Sequence, residues 1–337
     1  MKKLAVLMPT YNCAQYLQES IDSILNQTYS DFDLHIYDDC STDITSQIIS
    51  SYTDKRIFYI KNNENLGIAK TLNLGLDALL PHYEYIARMD ADDWSFPERF
   101  QKQIDFMDAN LEVTMSGTQG YWLKEILEIP LSIWEYPTKF EYLKCYLLFG
   151  ASFGHSSIIF RNNFFIKNNL RYNQLIRTCE DWDLWIKVSQ IGQIANLYDF
   201  LLKYRIVSTS NHRAPENKKT HLRERSIIIS NFWKTFNIDL SPEQVFEYYY
   251  DTDSSSIKQS FYTKMHTLID SFNKLFLNHA TSLENEDQQN FSYMLARKIL
   301  DFWKRSAVSR YNPFVWFVVL TRVRFISRIR LIKSQLN

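Results

Sequence analysis

Cysteine is scarce in this chain. Only Cys13, Cys40, Cys145 and Cys179 occur in 337 residues, and none sits at short spacing from another. A disulfide framework or a zinc site is therefore not expected, and a reducing, cytoplasmic setting fits. Long apolar runs are missing too: nothing approaches the roughly 20 residues of a membrane-spanning helix. The start, Met1-Lys2-Lys3-Leu4 to Met8, is basic then apolar, but it is too short for a signal sequence and is stopped by Pro9. It reads as a first buried strand. There is no internal repeat and no low-complexity tract. Net charge is also absent, with 38 basic against 38 acidic residues. That zero hides an asymmetry. From Phe302 to Asn337 there is no acid, while Lys304, Arg305, Arg310, Arg322, Arg324, Arg328, Arg330 and Lys333 are basic. The rest of the chain is acidic by the same amount, and the split suggests a tail that meets an anionic surface.

The most informative segment is Met89-Asp90-Ala91-Asp92-Asp93, directly after apolar Tyr85-Ile86-Ala87. Like charges this close repel, so a plain solvated turn has little reason to gather them. A divalent cation does, and its natural second partner is a phosphate. A metal–diphosphate site is the first hypothesis.

Apolar runs and helical periodicity alternate over the first hundred residues. Strands are expected at Leu4–Met8, Leu34–Tyr37, Ile57–Ile60 and Tyr85–Met89. Helices are expected around Leu17–Leu25, after the start signal Ser41-Thr42-Asp43, and along Leu72–Leu80 until Pro81. Repeated strand–helix units imply an α/β fold with a doubly wound, mostly parallel sheet. Ligands of such sheets sit beyond the carboxyl ends of the strands. Pro9-Thr10-Tyr11-Asn12, Asp38-Asp39-Cys40-Ser41 and Asp90–Asp93 lie there. A helix is expected from Pro97 to Asn110. Residues 111–205 read as mixed, with a strand at Ser157–Phe160 and a helix at Trp182–Ile191. Around Ser208–Lys219 the composition turns polar, which places a boundary between a domain of residues 1–210 and a helical extension of residues 211–337. Linkers are expected at Asp251–Ser256 and Asn285–Asn290.

Several motifs together resemble the inverting family-2 glycosyltransferases. They are Val6-Leu7-Met8-Pro9-Thr10-Tyr11-Asn12, Asp38–Asp43, Asn65-Leu66-Gly67 with Asn73-Leu74-Gly75, Met89–Asp93 with Pro97-Glu98-Arg99, Cys179–Trp185, and Leu201–Arg205. The resemblance spans about residues 4–210 and implies a GT-A fold. It also implies a nucleotide-sugar donor, with UDP the expected nucleotide, and a glycan or lipid-linked glycan acceptor in surface-glycan synthesis. By resemblance Asp39 accepts from the base, against which Tyr11 stacks next to Thr10. Asp92 ligates a divalent metal, Mn or Mg, and Asp90 contacts ribose or the metal shell. Asp181 is the base that takes the acceptor proton, with Glu180 beside it.

Each of these residues also has a plainer reading. Asp38 and Asp39 can cap a helix, Asp93 can be a structural cap, and acids at a helix start are favoured by its dipole anyway. Trp182 and Trp185 suit a carbohydrate platform or a core. His155 suits an acceptor contact or a satisfied structural histidine. His212 sits loosely where a late metal ligand can occur, and Lys70 can meet a phosphate or only solvent. Two departures from the family pattern stand out. Cys40 replaces a frequent glycine, where a left-handed backbone would be costly. Leu72 replaces a basic residue near the diphosphate.

The tail has apolar and aromatic residues at Asn312–Leu320 followed by arginines. It reads as a helix lying in an anionic membrane interface, as a terminal helix on the core, or less well as a nucleic-acid arm. No nucleic-acid partner is expected. Two other functions stay open. A sugar-phosphate nucleotidyltransferase would carry a glycine-rich phosphate loop after the first strand, and Pro9-Thr10-Tyr11-Asn12 is not one. A glycan-binding scaffold on a dead transferase fold has no need of intact Asp92 and Asp181.

Overall fold

The structure is a computed structural model that describes residues 2–124, 127–207, 217–249, 270 and 273–274. The chain divides into two compact units, Met1–His221 and Leu222–Asn337. His212, the two expected linkers and the basic tail lie outside the described residues.

The first unit is built on a mixed sheet, nine-stranded among the described residues, in the order β3-β2-β1-β4-β8-β6-β9-β5, with β7 added to β6. Strands β1 (Leu4–Thr10), β2 (Phe32–Asp38), β3 (Ile57–Lys61) and β4 (Tyr85–Arg88) run parallel. Helices α1 (Ala14–Leu25), α2 (Thr45–Ser50) and α3 (Ile68–Leu79) connect them. Every residue of β1, β2 and β4 is buried. That is why β1 and most of β4 read as near-continuous apolar runs, since helices cover both faces of a parallel sheet, while β2 carries Asp33, His35 and Asp38 among its buried apolar residues. The edge strand β3 is half-exposed.

Parallel register aligns the strand ends. Thr10 pairs with Asp38, and Leu7 with Arg88. The three candidate segments are thus adjacent at one edge of the sheet. The chain leaves β1 and β2 in left-handed conformations, Asn12 at φ 49° and Cys40 at φ 64°. Asn12 suits that region; Cys40 lacks a side chain that does, at a cost of roughly 1–2 kcal/mol. The departure from glycine noted in the sequence is therefore a real strain. Helix α3 packs closely on the sheet through Gly75, whose added Cβ would fall 2.3 Å from a Leu7 methyl carbon.

The second half of the unit reverses the pattern. After β5 (Trp94–Ser95) and α4 (Arg99–Ala109), β6 (Val113–Lys124) forms a hairpin with β7 (Leu127–Trp134). Helix α5 (Phe140–Leu147) and a 3₁₀ turn at His155–Ser157 lead to β8 (Ile159–Arg161), which runs antiparallel to both β4 and β6. Helices α6 (Asn162–Lys167) and α7 (Glu180–Ile191) precede β9 (Gln193–Ile206), which pairs parallel with β6. The expected strand at Ser157–Phe160 therefore starts two residues later, because the 3₁₀ turn takes its beginning. The helix expected at Trp182 starts at Glu180. Helices α8 (Lys218–Lys234) and α9 (Pro242–Tyr249) follow. No helix among the described residues is long and apolar enough to cross a membrane.

Candidate active site

The site begins with a buried cation. Arg88 ends β4, is 2% exposed, and pairs with the Asp90 carboxylate. An ion this deep is costly unless paired and hydrogen-bonded. Its Nη1 also donates to Ser156 Oγ at 3.0 Å. Ser156 lies within 2.9 Å of Asp90 Oδ2 and against Asp93 Oδ2, and its Oγ accepts the Asp90 N–H at 3.0 Å. Asp93 accepts the backbone N–H of Arg205 at 2.9 Å. Arg205 Nε reaches the Asp92 carbonyl at 3.0 Å, and its guanidinium pairs with Glu19 and covers the Tyr16 ring. The turn is thus braced from β4, β9 and the 3₁₀ segment. Arg99, fully buried, reinforces it from behind by donating to the carbonyls of Arg88 at 3.0 Å and Ile158 at 3.3 Å. Burial pushes its guanidinium down to about 9.

Carboxylate oxygens of Asp90, Asp92 and Asp93 lie within 4.8 Å of one another. Burial first, and then the Asp90 charge, raises Asp92; burial and both neighbouring acids raise Asp93 well above the usual range. Acids that resist ionising together form a hard oxygen donor set, and this chemistry fits a divalent cation such as Mg²⁺ or Mn²⁺. Asp93, 1% exposed and engaged by Ser156 and Arg205, is committed to the brace, so Asp92 and Asp90 are the residues able to hold an ion.

Beside this turn, Tyr11 is about half-exposed, and Thr10 beneath it is buried. Asp39 is buried at the end of β2. Its Oδ1 accepts from Leu66 N at 2.8 Å and Asn62 Nδ2 at 2.9 Å, and its Oδ2 from Gly67 N at 2.8 Å. It therefore braces the loop that enters α3, and one oxygen keeps acceptor capacity. Gly67 sits at φ 84°, open to glycine at no cost. Asp38 serves its own loop, accepting from Ser41 N, Ser46 Oγ and Tyr59 Oη. Lys70, exposed in the first turn of α3, rims a groove of about 380 Å³ with Asn65, Gly67, Gln174 and Arg177. Leu72 is fully buried and turned into the core, out of reach of a phosphate.

The acid pair stands at the start of α7. Burial raises both carboxyls; the Asp181 charge raises Glu180 further, while the Asp90 charge raises and the Arg88 charge lowers each of them. The two acidic groups, far apart in sequence, therefore share one electrostatic neighbourhood around Arg88. Asp181 Oδ1 accepts the Trp182 N–H at 2.7 Å. Asn73 fixes the segment before α7, donating to the Tyr172 carbonyl and accepting its N–H, both at 2.9 Å.

Some expected contacts are not made. Trp182 and Trp185 are core residues, 2% and 0% exposed, and Trp182 Nε1 donates to the Leu147 carbonyl. Neither offers a face to a sugar: both lie on the inward side of α7. His155 is likewise structural. It bonds Tyr172 Oη through Nε2 at 2.9 Å, lies edge-on to Trp185, and is kept neutral by burial. Sequence reasoning missed Arg88, Ser156 and the brace from Arg205. One signal was available for Arg88: a cation inside a buried apolar strand must have a partner.

A family profile described as Glycosyl transferase family 2 matches residues 5–168. An uncharacterized glycosyltransferase of Haemophilus influenzae is 30% identical over 296 residues, covering 82% of this chain and 89% of the relative. Among solved structures, S. aureus TarS residues 1–349 in complex with UDP-GlcNAc superposes with TM-score 0.57 at 19% identity, covering 90% of each chain. A mannosyltransferase from Pyrobaculum calidifontis in complex with GDP-Man and Mn²⁺ superposes with TM-score 0.51 at 15% identity, covering 90% of this chain and 87% of that one. These structural likenesses show the shared GT-A type fold. Sequence match, fold and the arrangement of the acidic groups agree: the chain belongs to glycosyltransferase family 2.

Proposed function

We propose that this glycosyltransferase moves a sugar from a UDP-sugar to a hydroxyl of a glycan or lipid-linked glycan, inverting the anomeric centre, in surface-glycan assembly. The observation that carries this reading is the joint neighbourhood of Asp90 and the Glu180–Asp181 pair around Arg88. Acids proposed for the donor side and for the acceptor side thus stand close enough to share the charges of Asp90 and Arg88. The TarS complex with UDP-GlcNAc supports the choice of UDP.

In this reading Tyr11 stacks on the base, next to Thr10, and Asp39 accepts its imide N–H while bracing the loop below. Lys70, at the groove rim, meets the diphosphate, and Asp90 contacts ribose or the metal shell. Asp92, with Asp90, holds a divalent cation, which when bound supplies positive charge to the departing diphosphate. The manganese complex of the mannosyltransferase supports that choice. Asp181 takes the proton of the acceptor hydroxyl as its oxygen bonds to the sugar C1. The C1–oxygen bond to the diphosphate breaks with its electron pair, and UDP leaves. Because burial raises Asp181, it is a stronger base than a solvated aspartate. Glu180, raised further by its neighbour, orients the acceptor. The basic tail, read from sequence alone, would hold the enzyme on an anionic membrane face.

A panel of nucleotide sugars, tested for thermal stabilisation and for hydrolysis with and without Mn²⁺, tests the reading. Stabilisation by UDP-sugars that Mn²⁺ strengthens and EDTA weakens is expected. Equal response to every nucleotide, or none, would overturn it.

A further inference from the structure

We propose that Ser156 is the positioning residue that ties the Asp90 carboxylate to the braced Asp93 and so sets Asp90 for metal binding. It reaches them from the 3₁₀ turn at His155–Ser157, 66 residues from Asp90 in the chain. The inference rests on the metal assignment proposed above and adds a residue to it.

Ser156 is fully buried. Its hydroxyl has one proton and two lone pairs. Asp90 N and Arg88 Nη1, both at 3.0 Å, donate to the lone pairs. The proton faces Asp90 Oδ2 at 2.9 Å and Asp93 Oδ2 beside it. The hydroxyl is therefore saturated, with no free rotamer. It lies between two carboxylates that would otherwise repel and swing apart. Each carboxylate has a second tether, Asp90 to Arg88 and Asp93 to the Arg205 N–H. Ser156 is the group that joins these tethers into one frame. Groups behind metal ligands hold their orientation in this way, and losing one typically weakens metal binding by about 10- to 100-fold.

The adjacent residue supplies the control. Ser157 is equally buried, but its Oγ donates to the Gly154 carbonyl at 2.7 Å, inside the turn itself. Removing that hydroxyl loosens the turn without touching an acid.

The experiment titrates Mn²⁺ into the full-length protein by calorimetry, without sugar donor. It also measures melting temperature, and UDP affinity in EDTA. Ser156→Ala is expected to weaken Mn²⁺ binding by about 10- to 100-fold, with UDP affinity in EDTA unchanged and transfer restored at saturating Mn²⁺. Ser157→Ala is expected to lower the melting temperature while keeping wild-type Mn²⁺ affinity. If Ser156→Ala shows no cooperative melt, Ser156→Cys, of similar shape but with a weak donor, replaces it and should also bind Mn²⁺ more weakly. A folded Ser156 variant with wild-type Mn²⁺ affinity would overturn the role of Ser156 and leave the metal site standing. So would equal weakening in Ser157→Ala. A wild-type protein that binds neither Mn²⁺ nor Mg²⁺ would remove the metal site and this inference together.

Discussion

The two acidic groups of the site are built in opposite ways. The Asp90–Asp93 turn is cross-braced from three elements, through Arg88, Ser156 and Arg205. The Glu180–Asp181 pair rests on the start of one helix, whose two tryptophans anchor it in the core. The difference matches the roles proposed for the two groups. An ion needs several oxygens at fixed separation. A proton acceptor needs one oxygen and a raised proton affinity, which burial supplies without a rigid frame. The braced group should therefore be intolerant of any change, and the helix-borne pair should fail only in proton transfer.

Substituting each group is the direct way to break that contrast. Asp92→Asn should nearly abolish transfer and remove the response to Mn²⁺, with the melting temperature held or raised, because a half-buried charge that repels its neighbours is gone. Activity in this variant, or wild-type activity that persists in EDTA, would show that the turn does not hold an ion. Asp181→Asn should lower turnover by roughly 10²–10⁴-fold with donor affinity nearly unchanged. Loss of UDP binding instead would place Asp181 on the donor side.

A smaller effect tests how far the bracing extends. Gly154 opens the turn that carries Ser156, and a Cβ there would fall 2.2 Å from the Trp134 ring. A ring wedged against backbone cannot yield as a flexible side chain does. Gly154→Ala should cost about 1–3 kcal/mol, read as a lower urea midpoint, and should weaken Mn²⁺ binding more than it slows turnover at saturating metal. An unchanged midpoint would mean that the turn has slack.

The smallest effect gives a baseline away from both groups. His35 in β2 stacks on Phe58 and bonds Tyr83 Oη at 3.0 Å; burial pushes it down to about 4 from 6.5. A depressed folded-state value means that the neutral ring's contribution is complete above pH 6.5 and is lost as pH falls toward about 4. His35→Gln should lack this acid-side loss, so the gap in urea midpoint between it and wild type should change between pH 7 and pH 4. A constant gap would contradict the assigned titration. The acid dependence of transfer should be the same in both proteins if it belongs to the acid pair.

The same division governs what the sequence disclosed. Strands β1 and β4 were legible because burial on both faces writes itself as apolar runs, and β2 and the half-exposed edge strand β3 as short strand-forming runs between turn segments. The helices between them carry their periodicity, so the segments at the strand ends stand out from the pattern of residues alone. Strands β6 and β9 mix polar, small and aromatic residues, with half-buried rings such as Trp122 and Tyr204, and no single period marks them. The Asp90–Asp93 cluster was visible as a local concentration of charge. Its frame was not, because Ser156 and Arg205 arrive from distant parts of the chain, and a lone serine has no sequence signature for holding a carboxylate. The tryptophans of α7 were misleading for the same reason: residue type says nothing about which side of a helix meets the core.

Asn73 has a consequence for how this enzyme can vary. It grips both backbone groups of Tyr172 directly, 99 residues away in the chain. The spacing between α3 and the lead-in to the acid pair is thus held by side chains, Asn73 on Tyr172 and Arg171 on Asp77, not by the length of the polypeptide in between. The chain between positions 73 and 172 can lengthen without changing that spacing, while a change at position 73 would release one of its two ties.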